Sequence, residues 1–398
     1  LADMFKATCL ELNEHNAIEL IKKYNIEATD ISLSDLLPLT AHCIKISREI
    51  LTNKWNKIDF NDQISLPVEL NLPITEYDFV FIDETQDLSE AKRKLAIKMC
   101  KPNGSIIAVG DRYQAIYGFA GADIDSIPNF IKTLDAKVFP LDICYRCPVT
   151  HIKLAQKFVP HIQWATIENA GYDARIGSIE NINSDKLIHL AEIGDKILCK
   201  NTAPLIHPCF ELIKREKKAM VLGRNIGDGI KALVEKIKGN DLETFKKNLD
   251  KWKDKEIEKL ENKKQSIDKT MDQYDTVVVL MEDCVTVGDI YKRINKIFDP
   301  ENIEKNDGTV SDEDNNSWIM LSTIHRAKGL EVKDYTKDVF VIMSHNGKTL
   351  MPSSWAKENW EFQQELNIQY IGFTRGKDKL YLVDNIKNEH SELITISN

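Results

Sequence analysis

Two short apolar runs, each ending abruptly in acid, constrain this chain most. Residues 79–82 read Phe-Val-Phe-Ile and run into Asp83 and Glu84. Residues 106–109 read Ile-Ile-Ala-Val and run into Gly110 and Asp111. Neither run alternates apolar with polar, the pattern of strands covered on both faces in a parallel sheet. Between them, residues 89–100 carry a helical pattern with Leu95, Ala96 and Met99 as apolar positions, and Pro102 and Gly104 read as its stop. The unit is β-α-β, so the expected fold class is α/β. Open sheets of this class collect ligands at the carboxyl ends of their strands, where these acids stand.

The acid pair has a definite chemistry. Asp83 can hold a Mg²⁺ ion that keeps most of its waters, since that ion needs few carboxylates. Glu84 can orient and deprotonate a water that attacks a terminal phosphate. Thr85, Gln86 and Asp87 follow directly, and the second strand leads into Gly110-Asp111-x-x-Gln114. That combination is far more specific than an isolated Asp-Glu.

Composition limits the partners. The 398 residues suit two or three domains. A formal net charge of −9 excludes general polyanion binding, so any nucleic-acid contact needs a local basic and aromatic groove. No apolar run approaches a membrane span, and no secretory signal opens the chain, so no membrane partner is expected. The eight cysteines are scattered, many inside apolar runs, as suits reduced thiols in a cytoplasmic protein. Cys144-Tyr-Arg-Cys147 has the spacing of half a zinc site, but Cys199 and Cys209 form no similar close pair and His151 is a poor substitute.

The two strand ends resemble motifs II and III of superfamily-1 helicases of the UvrD/Rep/PcrA type. Asp83-Glu-Thr-Gln-Asp87 matches motif II, and Gly110, Asp111, Gln114, Ile116, Tyr117, Phe119, Gly121 and Ala122 match motif III. Further stretches follow in family order. Tyr145 and Arg146 fit motif IV, with cysteines where the family has Asn and Ser. Thr323, His325, Lys328, Gly329, Leu330 and Glu331 fit motif V. Gln369, Tyr370, Thr374 and Arg375 fit motif VI, with Gly376 in place of the usual Ala.

The resemblance implies two RecA-like parallel-sheet domains with ATP and Mg²⁺ between them. Residues 1–135 are expected as a partial first domain with a helical beginning. Residues 136–239 and 317–398 are expected as the second, interrupted by a reduced helical insertion over 240–316 whose charges suit a solvated hairpin and whose acidic stretch 299–316 suits a mobile loop. Asp83 is then the metal ligand and Glu84 handles the water. Gln114 senses the γ-phosphate, and Arg146 and Arg375 stabilise its developing charge, Arg375 as an arginine finger. Gln86, Gly329 and Glu331 are expected around the nucleotide. Tyr117, Phe119, Thr323, His325 and Lys328 are expected on single-stranded or partly duplex DNA, with Phe119 stacking on a base. Ala120 departs from the family's Arg.

The implied activity is ATP-dependent 3′-to-5′ DNA helicase or translocase, with repair or replication proteins as candidate partners. Two alternatives stand beside it: a hydrolysis-deficient binding module, and the motor subunit of a helicase-nuclease. No Gly-x-x-x-x-Gly-Lys-Ser/Thr occurs, and the first residue is Leu. The expectation is a record that begins after the phosphate cradle, so that these residues alone do not hydrolyse ATP. Smaller readings are a helix cap over residues 59–62, N-caps at Ser32 and Ser34, and a strand over 137–141.

Overall fold

The computed structural model describes residues 1–24, 26, 31–49, 58–118, 123, 125–262, 266–298, 311, 316–328, 337–354, 356 and 359–384. The chain divides into two compact units, Leu1–Pro140 and Leu141–Asn398.

The first unit opens with the helices Ala2–Thr8, Glu14–Lys23, Leu33–Arg48 and Phe60–Glu69. Phe5, Ala17, Leu20, Tyr24 and Ile44 form a core shared by the first three. Ser32 caps the third helix, accepting the Asp35 N–H at 3.2 Å. Asp59 caps the fourth in a capping box with Asp62, whose carboxylate accepts the Asp59 N–H in return. Both acids also meet the buried Lys6, Asp59 at 2.9 Å and Asp62 at 2.6 Å. The cap is therefore charge-paired to the first helix.

Strand β1 (Tyr77–Ile82) pairs in parallel with β2 (Cys100–Ala108), and the helix Glu90–Lys98 connects them, capped by Ser89. Two expectations need correction here. Pro102 and Gly104 do not stop the helix; it ends at Lys98, and both residues lie inside β2. The register slips between Tyr77↔Cys100 and Phe79↔Ser105, so they occupy an irregular bulge. Pro is tolerated there because a bulge on an edge needs no ladder N–H. Nor is β1 covered on both faces. Phe79 and Phe81 are 62% and 73% exposed, while Ile82 on the opposite side is buried. Among the described residues β1 has β2 as its sole strand partner.

The second unit holds a six-stranded, wholly parallel sheet in the order β5 (Ser178–Ile182), β12 (Lys379–Val383), β9 (Val339–Ile342), β6 (Lys196–Cys199), β8 (Ile319–Thr323), β7 (Ala219–Val221). Its central strands are buried throughout, as near-continuous apolar runs require. Phe340 of β9 stacks on Tyr381 of β12 with centroids 4.7 Å apart. A separate parallel pair, β3 (Ile143–Cys144) with β4 (Gln163–Trp164), brackets the helix Val149–Ala155 in the chain. The strand expected over 137–141 is not formed: that stretch is extended coil with Val138, Phe139 and Leu141 exposed.

The inserted helices Leu242–Asn262, Asp268–Met281 and Val287–Ile297 are not a solvated hairpin. Phe245, Leu249, Val277, Leu280, Ile290, Ile294 and Ile297 join the unit's main core. Asp272, buried with its carboxyl pushed up by that burial, accepts the N–H groups of Thr202 and Ala203 at 3.0 and 2.9 Å. It thereby satisfies donors at the start of the helix Ala203–Lys214, whose own N-cap offers no side-chain bond. These helices are therefore packed into the unit's main core.

Candidate functional site

In the first unit the candidate residues gather at the carboxyl ends of β1 and β2. Asp83 and Glu84 are exposed directly beyond Ile82. Asp83 accepts the Glu84 N–H at 2.8 Å. Glu84 itself has φ +50° and ψ +44°, a left-handed conformation unusual for a side chain with a Cβ. Such a conformation costs about 1–2 kcal/mol, and strain of this kind concentrates where a side chain must be aimed.

The turn is over-determined by its neighbours. Thr85 donates both its N–H (3.0 Å) and its hydroxyl (2.8 Å) to the Val109 carbonyl, and Val109 donates to Ile82 at 2.8 Å. Gln86 is almost fully buried. Its Nε2 donates to the Glu84 carboxylate, and its Oε1 accepts the Asp111 N–H at 3.0 Å. Asp111 in turn accepts the Tyr113 N–H at 2.9 Å and the Gln114 Nε2 at 3.0 Å. One connected network therefore joins Glu84, Gln86, Asp111 and Gln114. Gly110 leaves the room for it, since a Cβ there would sit 2.6 Å from Gln86 Oε1. Tyr117 follows, half-buried, and Phe119 lies outside the described residues.

In the second unit the candidates again follow strand ends. Cys199 of β6 and Thr323 of β8 are register partners. Thr323 caps a one-turn helix, Ile324–Ala327, accepting the Arg326 N–H at 3.4 Å. His325 lies on that turn and Lys328 just beyond it; burial, helped by the Lys200 ammonium, pushes the His325 imidazole down to about 4. Gly329 and Glu331 lie outside the described residues.

The helix Asn359–Phe373 explains why sequence patterning is weak there. It buries polar Glu365, Asn367 and Gln369 together with Ile368, Tyr370, Ile371 and Phe373. A helix that buries polar residues around its circumference is covered on all sides and needs partners for each. Thr374 donates its hydroxyl to the Tyr370 carbonyl at 2.8 Å. Arg375 is 4% exposed, and its Nε donates to the Ile371 carbonyl at 3.1 Å. Its guanidinium base is thus packed within the unit rather than extended into solvent. Arg146, by contrast, is exposed, two residues beyond β3.

Lys200 was not singled out by any motif. It follows β6 and pairs with Glu365 at 2.8 Å and Asp268 at 3.5 Å. Ser353 bridges the two acids, its N–H on Glu365 at 2.9 Å and its hydroxyl on Asp268 at 2.7 Å. This cluster links a strand end, the helix Asp268–Met281 and the helix Asn359–Phe373, which Arg375 follows by two residues. The one available signal was Lys-Asn immediately after a buried apolar strand.

The profile of the UvrD-like helicase C-terminal domain matches residues 1–386. This chain belongs to that family. Curated relatives include DNA helicase II of Haemophilus influenzae, 29% identical over 83 residues, 21% of this chain and 11% of that protein. ATP-dependent DNA helicase PcrA of Staphylococcus epidermidis is 29% identical over 113 residues, covering 26% and 16%. PcrA of Leuconostoc citreum is 27% identical over 113 residues, covering 26% and 15%. The matched segments therefore take in under a fifth of each relative's length. In the family member described here, no helix among the described residues is long and apolar enough to cross a membrane.

Proposed function

We propose that this chain is part of an ATP-dependent DNA helicase or translocase that moves 3′-to-5′ on single-stranded DNA. The observation that carries the reading is the Gln86 side chain, which ties the Glu84 carboxylate to the backbone of Asp111 and, through Asp111, to Gln114. It makes a general base and a polar sensor parts of one rigid network.

The donor set fits Mg²⁺. Asp83 and Glu84 are two exposed carboxylates at a strand end, and a cation that keeps its waters needs one or two. No group of three or more His, Cys, Asp or Glu is gathered among the described residues, so a closed protein cage is not the alternative there. When bound, Mg²⁺–ATP supplies the transferable phosphoryl group and the charge on which the chain's residues act. Asp83 would hold the cation, which keeps most of its waters. Glu84 takes a proton from the attacking water. Gln114, held by Asp111, reports on the phosphate. Arg146 and Arg375 neutralise phosphate charge. Tyr117, Thr323, His325 and Lys328 would contact the DNA strand, sequence-tolerant contacts being sufficient for a motor.

The test uses the full-length protein. Single-stranded DNA should stimulate its ATP hydrolysis, and Glu84→Gln should abolish hydrolysis while DNA binding persists. Stimulated hydrolysis surviving that change would remove Glu84 from the water-handling role.

A further inference from the structure

Two buried side chains to which the helicase reading gives no role meet the turn that carries Arg375. Cys147 follows Arg146 directly in the chain and is buried. Its Sγ donates to the Thr374 carbonyl at 3.3 Å, across 227 residues of sequence. That carbonyl belongs to the peptide group whose nitrogen is Arg375's own, and the Arg375 N–H donates to the Gly372 carbonyl at 3.5 Å. The peptide plane entering Arg375 is therefore held at both ends, its oxygen by Cys147 and its N–H by the helix end. The Arg375 Nε, on the Ile371 carbonyl at 3.1 Å, fixes the side chain separately.

His151, one helical turn beyond Cys147, is fully buried. Its Nε2 lies 3.3 Å from the Ser178 carbonyl, which can only accept, so that nitrogen carries the ring proton. Its Cε1 stands where a side chain at residue 376 would begin: a Cβ there would lie 3.0 Å from Cε1 and 3.4 Å from Nδ1. That contact accounts for Gly376 standing where the helicase motif has Ala, since ring and methyl would meet closer than side chains ordinarily come.

The helix Val149–Ala155 that carries His151 is itself anchored. Its Pro148 cap offers no side-chain bond, and the N–H groups of Val149 and Thr150 donate instead to the carbonyls of Arg175 and Ile176 at 2.8 and 3.0 Å. Ser178 is fixed in turn, its N–H on the Asp378 carbonyl at 3.0 Å and its backbone paired with Lys379 across β5 and β12. Further along, Phe158 meets Phe373 with ring centroids 5.9 Å apart. From Cys147 to Phe158 this segment is thus laid against residues 373–376, with the main sheet as the frame.

We propose that Cys147 and His151 are positioning residues that fix the 374–376 turn against the Arg146 turn, so that the two guanidiniums keep a set spacing toward phosphate. The inference rests on the reading that Arg146 and Arg375 act on phosphate charge. Cys147 acts through the Thr374–Arg375 peptide on one side and through its own peptide bond to Arg146 on the other. His151 acts by filling the space beside Gly376, which denies the turn alternative positions.

The experiment compares wild type, Cys147→Ala and Cys147→Ser in two measurements. Amide hydrogen exchange on the 398-residue chain, read at Arg375 and at Phe340 of β9, reports the anchoring with no nucleotide present. Cys147→Ala should speed exchange at Arg375 about tenfold while Phe340 changes less than about twofold. Cys147→Ser keeps a donor and should restore most of the protection. Exchange that rises equally at both amides, or at neither, overturns the anchoring. In the full-length protein, Cys147→Ala should lower kcat for DNA-stimulated ATP hydrolysis about tenfold with KM for ATP within about twofold, and Cys147→Ser should recover it. An unchanged kcat where exchange has risen overturns the positioning role. A wild type without stimulated hydrolysis overturns the helicase reading and the phosphate role with it, while exchange still decides the anchoring. Should Cys147→Ala misfold, Gly376→Ala presses on the turn from the His151 side. Exchange at Arg375 should rise, and adding His151→Ala should reverse part of the rise; effects of the two changes that simply multiply overturn the role of His151.

Discussion

Gln86 Oε1 accepts the Asp111 N–H at 3.0 Å, so a buried side chain on one strand end holds the backbone of the other. Its amide nitrogen meanwhile restrains Glu84. Gln86→Ala should leave the Asp111 N–H without that acceptor, at a cost of about 1–3 kcal/mol. Hydrogen exchange at the Asp111 amide should accelerate accordingly. On the proposed function, kcat for DNA-stimulated hydrolysis by the full-length protein should fall while KM for ATP changes less.

Gly110→Ala should disturb the same network from the opposite side. The new methyl would meet Gln86 Oε1 at 2.6 Å and the Thr85 nitrogen at 3.0 Å. The side chain could yield, but the backbone could not. A loss of about 1–3 kcal/mol is expected, read as a lower urea midpoint for the first unit.

Lys200→Met should cost about 3 kcal/mol, because it strips the cation from two acids while Glu365 stays buried. The double variant Lys200→Met, Glu365→Met should recover part of that loss, since no buried charge is then left alone. A double-variant loss equal to the sum of the Lys200→Met and Glu365→Met losses would show that the pair carries no coupling.

The His325 imidazole titrates about 4 in the fold, below the free value of 6.5, through burial first and the Lys200 charge second. Between those values the unfolded chain takes up a proton that the folded chain refuses. This contribution to stability is therefore intact above pH 6.5, declines as pH falls, and levels off below about 4. The slope is at most about 1.4 kcal/mol per pH unit. Urea midpoints measured from pH 7 to pH 4 should fall less steeply in His325→Gln than in the wild type.

Phe245→Ala should cost about 3–5 kcal/mol, the range for a fully buried aromatic. A solvated arm would lose under about 0.5 kcal/mol at such a position. Thermal unfolding of the second unit distinguishes the two.

The motif residues were legible because their chemistry is local. Asp83 to Asp87 and Gly110 to Gln114 are short runs at strand ends, and their order along the chain carried the family resemblance. The cap at Asp59 was legible for the same reason, though its pairing with Lys6 across the unit was not. What escaped were groups whose meaning depends on distant partners. Asp272 looks like one acid among many until its carboxyl meets Thr202 and Ala203, about seventy residues away in sequence. Lys200 needs Glu365. Pro102 and Gly104 misled because the same residues that end helices also furnish bulges, and only the slipped pairing with β1 separates the two uses. The polar residues of Asn359–Phe373 blurred a helix whose period is masked by burial on every side.

The uncovered side of β1 bears on how this protein behaves in a tube. Among the described residues, Phe79 and Phe81 stand open beside Ile107 and Val109 on a two-stranded ribbon. Water wets such a ribbon poorly, and its own kind wets it well. Concentrating the chain should therefore drive clustering that worsens with kosmotropic salt and eases with mild denaturant, long before either unit melts.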